Sequence, residues 1–371
     1  MSDKKPIAMF SPYVSPEAVD RVAAVLQTPW IGQGTLVEDL ERAVERALGV
    51  PNAVAVNGSS SALRLALAIC GVGPGDEVVT TPMTCTATNH PILEQFAKPV
   101  FADIQPETGN IDPEDAKRRI TPRTKAIVCA HWAGNPCDLD DLHRVAASRG
   151  LPVIEDASEA FGASYRGRPI GAISRFTAFS FQAVQIVTTG EGGLLTAPEA
   201  GDAEAARIRR WFGIDRARRV PNAAGYYDMD IETVGYGYHL TNIAAAIGLA
   251  NLSSWEDRRF RRKAFAARYR EAFKDVAGAA LMRADDDREP SYHFFAIRVE
   301  RRDDFYRMMA GKGIQVSVVH GRNDAYSAFG GMRSDLPCLD LFSATHIGLP
   351  THSRLSDEDV EAVILAVRSG W

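Results

Sequence analysis

The stretch Pro51–Gly71, "PNAVAVNGSSSALRLALAICG", changes character in the middle. Val54 and Val56 belong to a short apolar run suited to a buried strand, whereas the residues after Gly58 read as a helix closed by Gly71. The unit recurs along the chain. Apolar, β-branched runs follow in "DEVVTTP", "KPVFADI", "TKAIVCAHW", "LPVIEDA", "TAFSF" and "GGLLTA". Between the fourth and fifth runs "DLDDLHRVAASRG" supplies a second helix, from Asp138 to Gly150. Strands alternating with helices predict an α/β fold with a mainly parallel, seven-stranded sheet covered on both faces.

Around Ser253 the pattern shifts. "SSWEDRRFRRKAFAARYREAFKDV" reads as one long charged helix, and mixed signals follow in "HFFAIRVE", "DDFYRMMAGKGIQVSVV" and "SDEDVEAVILAVRS". A large domain over residues 1–252 and a smaller C-terminal α+β domain over 253–371 are expected. The segment from Glu199 to Glu232, with its arginines and "VPNAAGYYDMD", reads as surface suited to substrate or subunit contact.

With 46% hydrophobic content, 371 residues can bury a large core. Because 42 basic and 47 acidic residues are spread along the chain, no basic face for nucleic acid is expected. The five cysteines lack CxxC spacing, which points to reduced thiols rather than to disulfides or a metal site. No leader-like apolar segment opens the sequence, and no run approaches the roughly 18 apolar residues of a membrane span. A cytoplasmic protein is expected.

In parallel sheets, ligands bind beyond the carboxyl ends of the strands. There the first strand delivers "NGSSSAL", small residues followed by helical N–H groups that suit a phosphate, although an ordinary serine N-cap has the same look. The fifth strand delivers Glu155 and Asp156, one to each face of the sheet. A carboxylate in that position can keep a heteroaromatic ring protonated at nitrogen, or it can cap a helix. The sixth run brings Ser180 to the same edge and is followed by "TTGEGG". Gln185, between them, reads by itself as a polar loop residue.

Together "NGSSSAL", "PMTCTATNHPI", "HWAGNPCDLD", "IEDASEAFGASYRGRPIG", "AFSFQAVQIVTTGEGG" and "GYGYHLTNIAAAIGLANL" resemble the DegT/DnrJ/EryC1/StrS sugar aminotransferases, from "TPWIGQG" near residue 30 to "IGLPTH" near 350. The resemblance implies the aspartate aminotransferase-like fold of the pyridoxal 5′-phosphate-dependent transferases (fold type I). It also implies a homodimer with shared active sites, glutamate as amino donor and a nucleotide-linked keto sugar as acceptor. Asp156 would meet the pyridine nitrogen, Glu159 the phenolic oxygen, and Ser60, Ser61 and Ser180 the phosphate. Trp30, His320, Arg322 and Asn323 would line the substrate site.

Gln185 stands where the family carries its Schiff-base lysine. An amide is neither nucleophilic nor useful for proton transfer near neutrality, and the nearest lysines in sequence are Lys125 and Lys263. The chain is therefore expected to hold pyridoxal or pyridoxamine 5′-phosphate, or the external aldimine with an amino sugar, noncovalently and to turn over poorly. Cys85 replaces an aromatic residue that family members often stack on the ring, and Gly237 replaces an asparagine often lent by the partner subunit. Two other readings stay open: a pyridoxamine-phosphate-dependent keto-sugar dehydratase with His239 or His320 as base, and a non-catalytic cofactor- or sugar-binding protein.

Overall fold

The computed structural model describes residues 5–216, 218–227 and 229–371. Its central sheet contains β1 (Ala53–Val56), β2 (Glu77–Thr80), β3 (Lys98–Phe101), β4 (Thr124–Ala130) and β5 (Val153–Asp156). After a hairpin of β6 (Ser164–Tyr165) and β7 (Arg168–Pro169) the chain returns as β8 (Phe176–Ser180) and β9 (Gly193–Thr196). The order is β1-β9-β8-β5-β4-β2-β3. β8, β5, β4, β2 and β3 are parallel, while β9 runs antiparallel to both its neighbours. The seven apolar runs thus form one sheet.

Helices α1 (Glu17–Leu26), α4 (Thr86–Glu94) and α5 (Pro113–Arg119) belong to the same part of the chain, and alternation along each strand divides the core. Ala53, Ala55, Ile127, Cys129 and Val153 pack on one face with residues of α2 (Thr35–Leu48), α6 (Leu139–Ala147) and α8 (Asn242–Leu252). Val54, Val56, Ala126, Val128 and Ile154 pack on the other, with α3 (Ser59–Ile69) and α7 (Ala200–Arg210). Strands buried on both sides need no polar face, which is why their sequences read as continuous apolar runs. Local chemistry stops the helices: Gly49 ends α2 and Gly71 follows α3, both with positive φ, and Thr241 caps α8 by accepting the Ala244 N–H.

α9 (Trp255–Phe273) leads into the C-terminal elements. There β10 (Ala279–Leu281), β12 (Phe295–Val299) and β13 (His346–Leu349) form an antiparallel sheet around which Phe265, Tyr269, Phe273, Phe305 and Val363 are buried. Two links cross back. β11 (Arg288–Glu289) pairs with β6, and Ile7 near the N-terminus bridges Ile314. Among the described residues no helix is long and apolar enough to cross a membrane.

Candidate active site

The carboxyl ends of β1, β4, β5 and β8 open on a cavity of about 350 Å³. Gly58, Ser59 and Ser60 reach it from the start of α3, Asp156 and Glu159 from the end of β5, and Ser180, Gln182 and Gln185 from the end of β8. Phe10, His293 and His320 enter from distant parts of the chain. Among the described residues its walls contain three carboxylates, Asp156, Glu159 and Glu191, but no lysine or arginine.

No side chain caps α3, so its first N–H groups are open to an acceptor. Their approach to the sheet depends on Gly193 of β9. A Cβ there would lie 2.4 Å from the Gly58 carbonyl carbon and 2.6 Å from the Ser59 nitrogen. Ser60 lies in the cavity wall, with its hydroxyl donating to the Ala87 carbonyl at 3.2 Å. Ser180 faces the same space and accepts the Gln182 N–H at 3.2 Å. This combination of helical N–H groups and hydroxyls suits an anion such as phosphate.

β5 sends its two carboxylates to opposite faces, as alternation requires. Asp156, 6% exposed, accepts the Thr88 hydroxyl at 2.5 Å and the Ser158 N–H at 3.0 Å. Glu155, fully buried, lies 2.7 Å from His131 Nε2 and accepts the Ser174 N–H and the Thr177 hydroxyl. Only Asp156 lines the cavity. An aimed, braced carboxylate of this kind suits a cationic ring nitrogen.

Glu159 is held at both oxygens. Oε2 accepts the Ala133 N–H and Oε1 lies 2.7 Å from His320 Nε2, each at 2.7 Å. Burial opposes its charge, yet His320 and the backbone donor keep its carboxyl below the usual range. Burial likewise disfavours the His320 imidazolium, but Glu159 raises its proton affinity above that of a free imidazole. His293 behaves differently: burial, with Arg262 and His320 nearby, pushes it down to about 4 despite Glu159. Of these two imidazoles only His320 is shifted upward; despite its burial His131, a third in the wall, is raised to about 10 by Cys137 and Glu155. Both His320 and Ala133 have positive φ, +62° and +58°, a conformation uncommon for residues with side chains.

Gln185 lies in a braced loop. Its N–H donates to Gln182, the next carbonyl, Ile186, accepts from Arg258 at 2.9 Å, and Asn251 donates to the Thr188 carbonyl at 2.7 Å. The Gln185 side chain makes no hydrogen bond among the described residues. Lys125 is exposed on β4 and Lys263 stands 3.5 Å from Glu289, outside the cavity.

Of the residues read from sequence, Ser60, Cys85, Asp156, Glu159, Ser180, Gln185 and His320 share this cavity. The others lie elsewhere in the chain. The Ser61 hydroxyl donates to Asn57 at 2.7 Å, one turn back. Trp30 donates its indole N–H to the Gln33 carbonyl at 2.7 Å and lines a separate groove with Thr28 and Asn242. Arg322 is bound by both oxygens of Asp324 and by Asp340. Asn323 is fully buried, donating to the Thr84 carbonyl and accepting from Asn89, so it braces the wall from behind. His239 packs against Trp211 at a tilt of 49°, with ring centroids 3.9 Å apart, and Gly237 lies beside Phe212. Ser59, Gln182, Glu191, His293 and Phe10 line the cavity without having been singled out.

The chain is 32% identical over 376 residues to GDP-perosamine synthase of Caulobacter vibrioides, with 99% of each chain covered. Its fold superposes on the sugar aminotransferase CalS13 from Micromonospora echinospora with a TM-score of 0.94 at 35% identity, over 98% of this chain and 100% of that one. It superposes on the PLP form of Spr1654 from Streptococcus pneumoniae with a TM-score of 0.90 at 29% identity, over 98% of each. A model of the DegT/DnrJ/EryC1/StrS aminotransferase family matches residues 12–368, and the chain belongs to that family.

Proposed function

We propose that this chain has the site of a nucleotide-sugar aminotransferase, binds pyridoxal or pyridoxamine 5′-phosphate noncovalently, and transfers amino groups from glutamate to a keto sugar poorly or not at all. The observation that carries the reading is the cavity itself, with an anion cradle at Gly58–Ser60 and Ser180, a braced carboxylate at Asp156, and Gln185 without any lysine in the walls. The name of GDP-perosamine synthase and the PLP form of Spr1654 support the substrate and cofactor classes.

When bound, the cofactor supplies an electron-withdrawing ring and a carrier for the amino group. Asp156 would hold a proton on the ring nitrogen, kept in position by Thr88 and Ser158. Ser60, Ser180 and the open N–H groups of α3 would hold the phosphate. Glu159 would lie by the phenolic oxygen, its charge balanced by His320. Gln185 supplies neither a nucleophile nor a base, since its amide nitrogen has no available lone pair and no useful acidity. Cys85 gives less stacking area than an aromatic ring, which loosens retention further. A second copy of the chain would complete the sugar-nucleotide site, in keeping with the lack of cationic side chains in these walls.

A keto-sugar dehydratase is the second reading, favoured by His320 in the cavity wall; His239, outside it, is not placed to act as its base. The test is reconstitution with pyridoxal 5′-phosphate, borohydride reduction and intact-mass measurement. The unaltered chain should carry no cofactor mass after denaturation, whereas Gln185→Lys should carry one and gain glutamate-dependent amination of a nucleotide-linked keto sugar. Protein-linked cofactor on the unaltered chain would refute the proposal. Release of a dehydrated sugar by the unaltered chain would select the second reading.

A further inference from the structure

A second cavity, of about 320 Å³, shares Trp132 with the first and is walled by Ala133. Its remaining walls come from Thr108, Asn135 and the segment from Lys263 to Ala296, so it joins the loops of the central sheet to the C-terminal elements. The size falls within the ordinary range for small-molecule sites.

Three donors of the lining are incompletely paired among the described residues. The indole N–H of Trp132, in a residue 2% exposed, is buried without an acceptor. Arg270 donates to the Met282 carbonyl at 3.0 Å and forms no ion pair among the described residues. The Tyr292 hydroxyl makes no hydrogen bond among them either. The acids in the lining are mostly engaged: Asp285 lies 2.9 Å from Arg283, and Glu289 lies 3.5 Å from both Lys263 and Arg259. Asp286 is exposed. Met282, Pro290, Phe294 and Phe295 provide apolar surface. A guanidinium without an ion pair and a phenol hydroxyl beside an apolar floor suit a ligand with an anionic acceptor and a flat apolar body.

We propose that this cavity binds a small aromatic ring bearing a carboxylate or phosphate, with the anion on Arg270, and that its occupancy changes cofactor affinity in the first cavity. The link is Ala133. Its N–H holds Glu159, its carbonyl accepts the His293 N–H at 3.1 Å, and both partners line the first cavity. A ligand against Ala133 therefore acts on residues that face the cofactor.

The test uses the full chain, with indole-3-carboxylate and phenyl phosphate as probes in isothermal titration calorimetry. One site per chain is expected, weakened about ten-fold or more by Arg270→Met and largely kept by Arg270→Lys. Tyr292→Phe serves as a milder second variant should Arg270→Met fold poorly, and is expected to weaken binding about three-fold. Adding pyridoxal 5′-phosphate should shift probe affinity by a factor that levels off at saturation, because coupling between two sites is finite and reciprocal. Failure of both probes to bind at millimolar concentration, or equal affinity in the unaltered chain and both weakening variants, would overturn the site. A shift that grows without limit as cofactor is added would place the probes in the first cavity and overturn it too. Cofactor affinity identical with and without probe would overturn the coupling.

Discussion

Replacing Glu159 by glutamine isolates the interaction on which the proposed charge balance of the site depends. Glu159 Oε1 and His320 Nε2 are 2.7 Å apart, and their side chains are 12% and 22% exposed. Glutamine keeps the shape and one acceptor but not the charge. Hydrogen bonds between charged groups contribute about 1.5–3 kcal/mol against about 0.5–1.5 for neutral pairs, so the substitution should cost about 1–2 kcal/mol where both groups are charged. The sign of the pH dependence follows from the two groups. His320 takes up its proton more readily in the folded chain, so its contribution is whole below the ordinary imidazole value of 6.5 and fades as pH rises through the higher folded one. Glu159 is more acidic when folded, so its contribution is present above 4.5 and fades as pH falls through the lower folded one. The pair therefore stabilises most between these values. Imidazole resonances followed by NMR should show the His320 midpoint falling in Glu159→Gln. Urea midpoints should show a larger penalty near pH 6 than near pH 9. An unmoved His320 midpoint, or an equal penalty at both pH values, would refute the reasoning.

Gly193→Ala should push the start of α3 from the sheet, costing about 1–3 kcal/mol by overpacking. Cofactor affinity, read by fluorescence quenching, should fall about ten-fold, and unchanged affinity would count against α3 as the phosphate cradle. Thr88→Val removes one of the two donors on the buried Asp156 carboxylate, a loss of about 1–3 kcal/mol, and should weaken the cofactor while leaving the far-UV spectrum intact. Arg258→Met leaves the Ile186 and Asn251 carbonyls without their donor, and hydrogen–deuterium exchange should quicken over residues 183–189. Unaltered exchange there would show that the Gln185 loop is fixed by other bonds.

The fold was largely legible because its strands are buried on both faces. "PNAVAV" became β1 and "TKAIVCAHW" became β4, each bounded by the polar and glycine residues that mark its ends. Direction was less legible. Nothing in "GGLLTA" distinguishes an antiparallel strand from its parallel neighbours, since the side-chain pattern of a doubly buried strand is the same either way. The pairing of β6 with β11 spans more than a hundred positions, and two-residue strands carry no periodicity to read.

Within the site, residues fixed by local geometry were the readable ones. Asp156 and Ser180 end strands, and a strand end determines which edge a side chain reaches. His293 and Phe10 arrive from other elements, and no local pattern marks them. Arg322 carried a further signal, because Asp324, two residues on, supplies a bidentate partner for its guanidinium. The absence of lysine from these walls has an electrostatic consequence as well as the proposed chemical one. The walls hold Asp156, Glu159 and Glu191 with only imidazoles to balance them, so an entering phosphate meets N–H groups and hydroxyls rather than a cation. On the proposed reading Asp156 would favour a protonated ring nitrogen while dipoles held the phosphate, an arrangement that would retain a zwitterionic cofactor through geometry and release it more readily than a covalent link would.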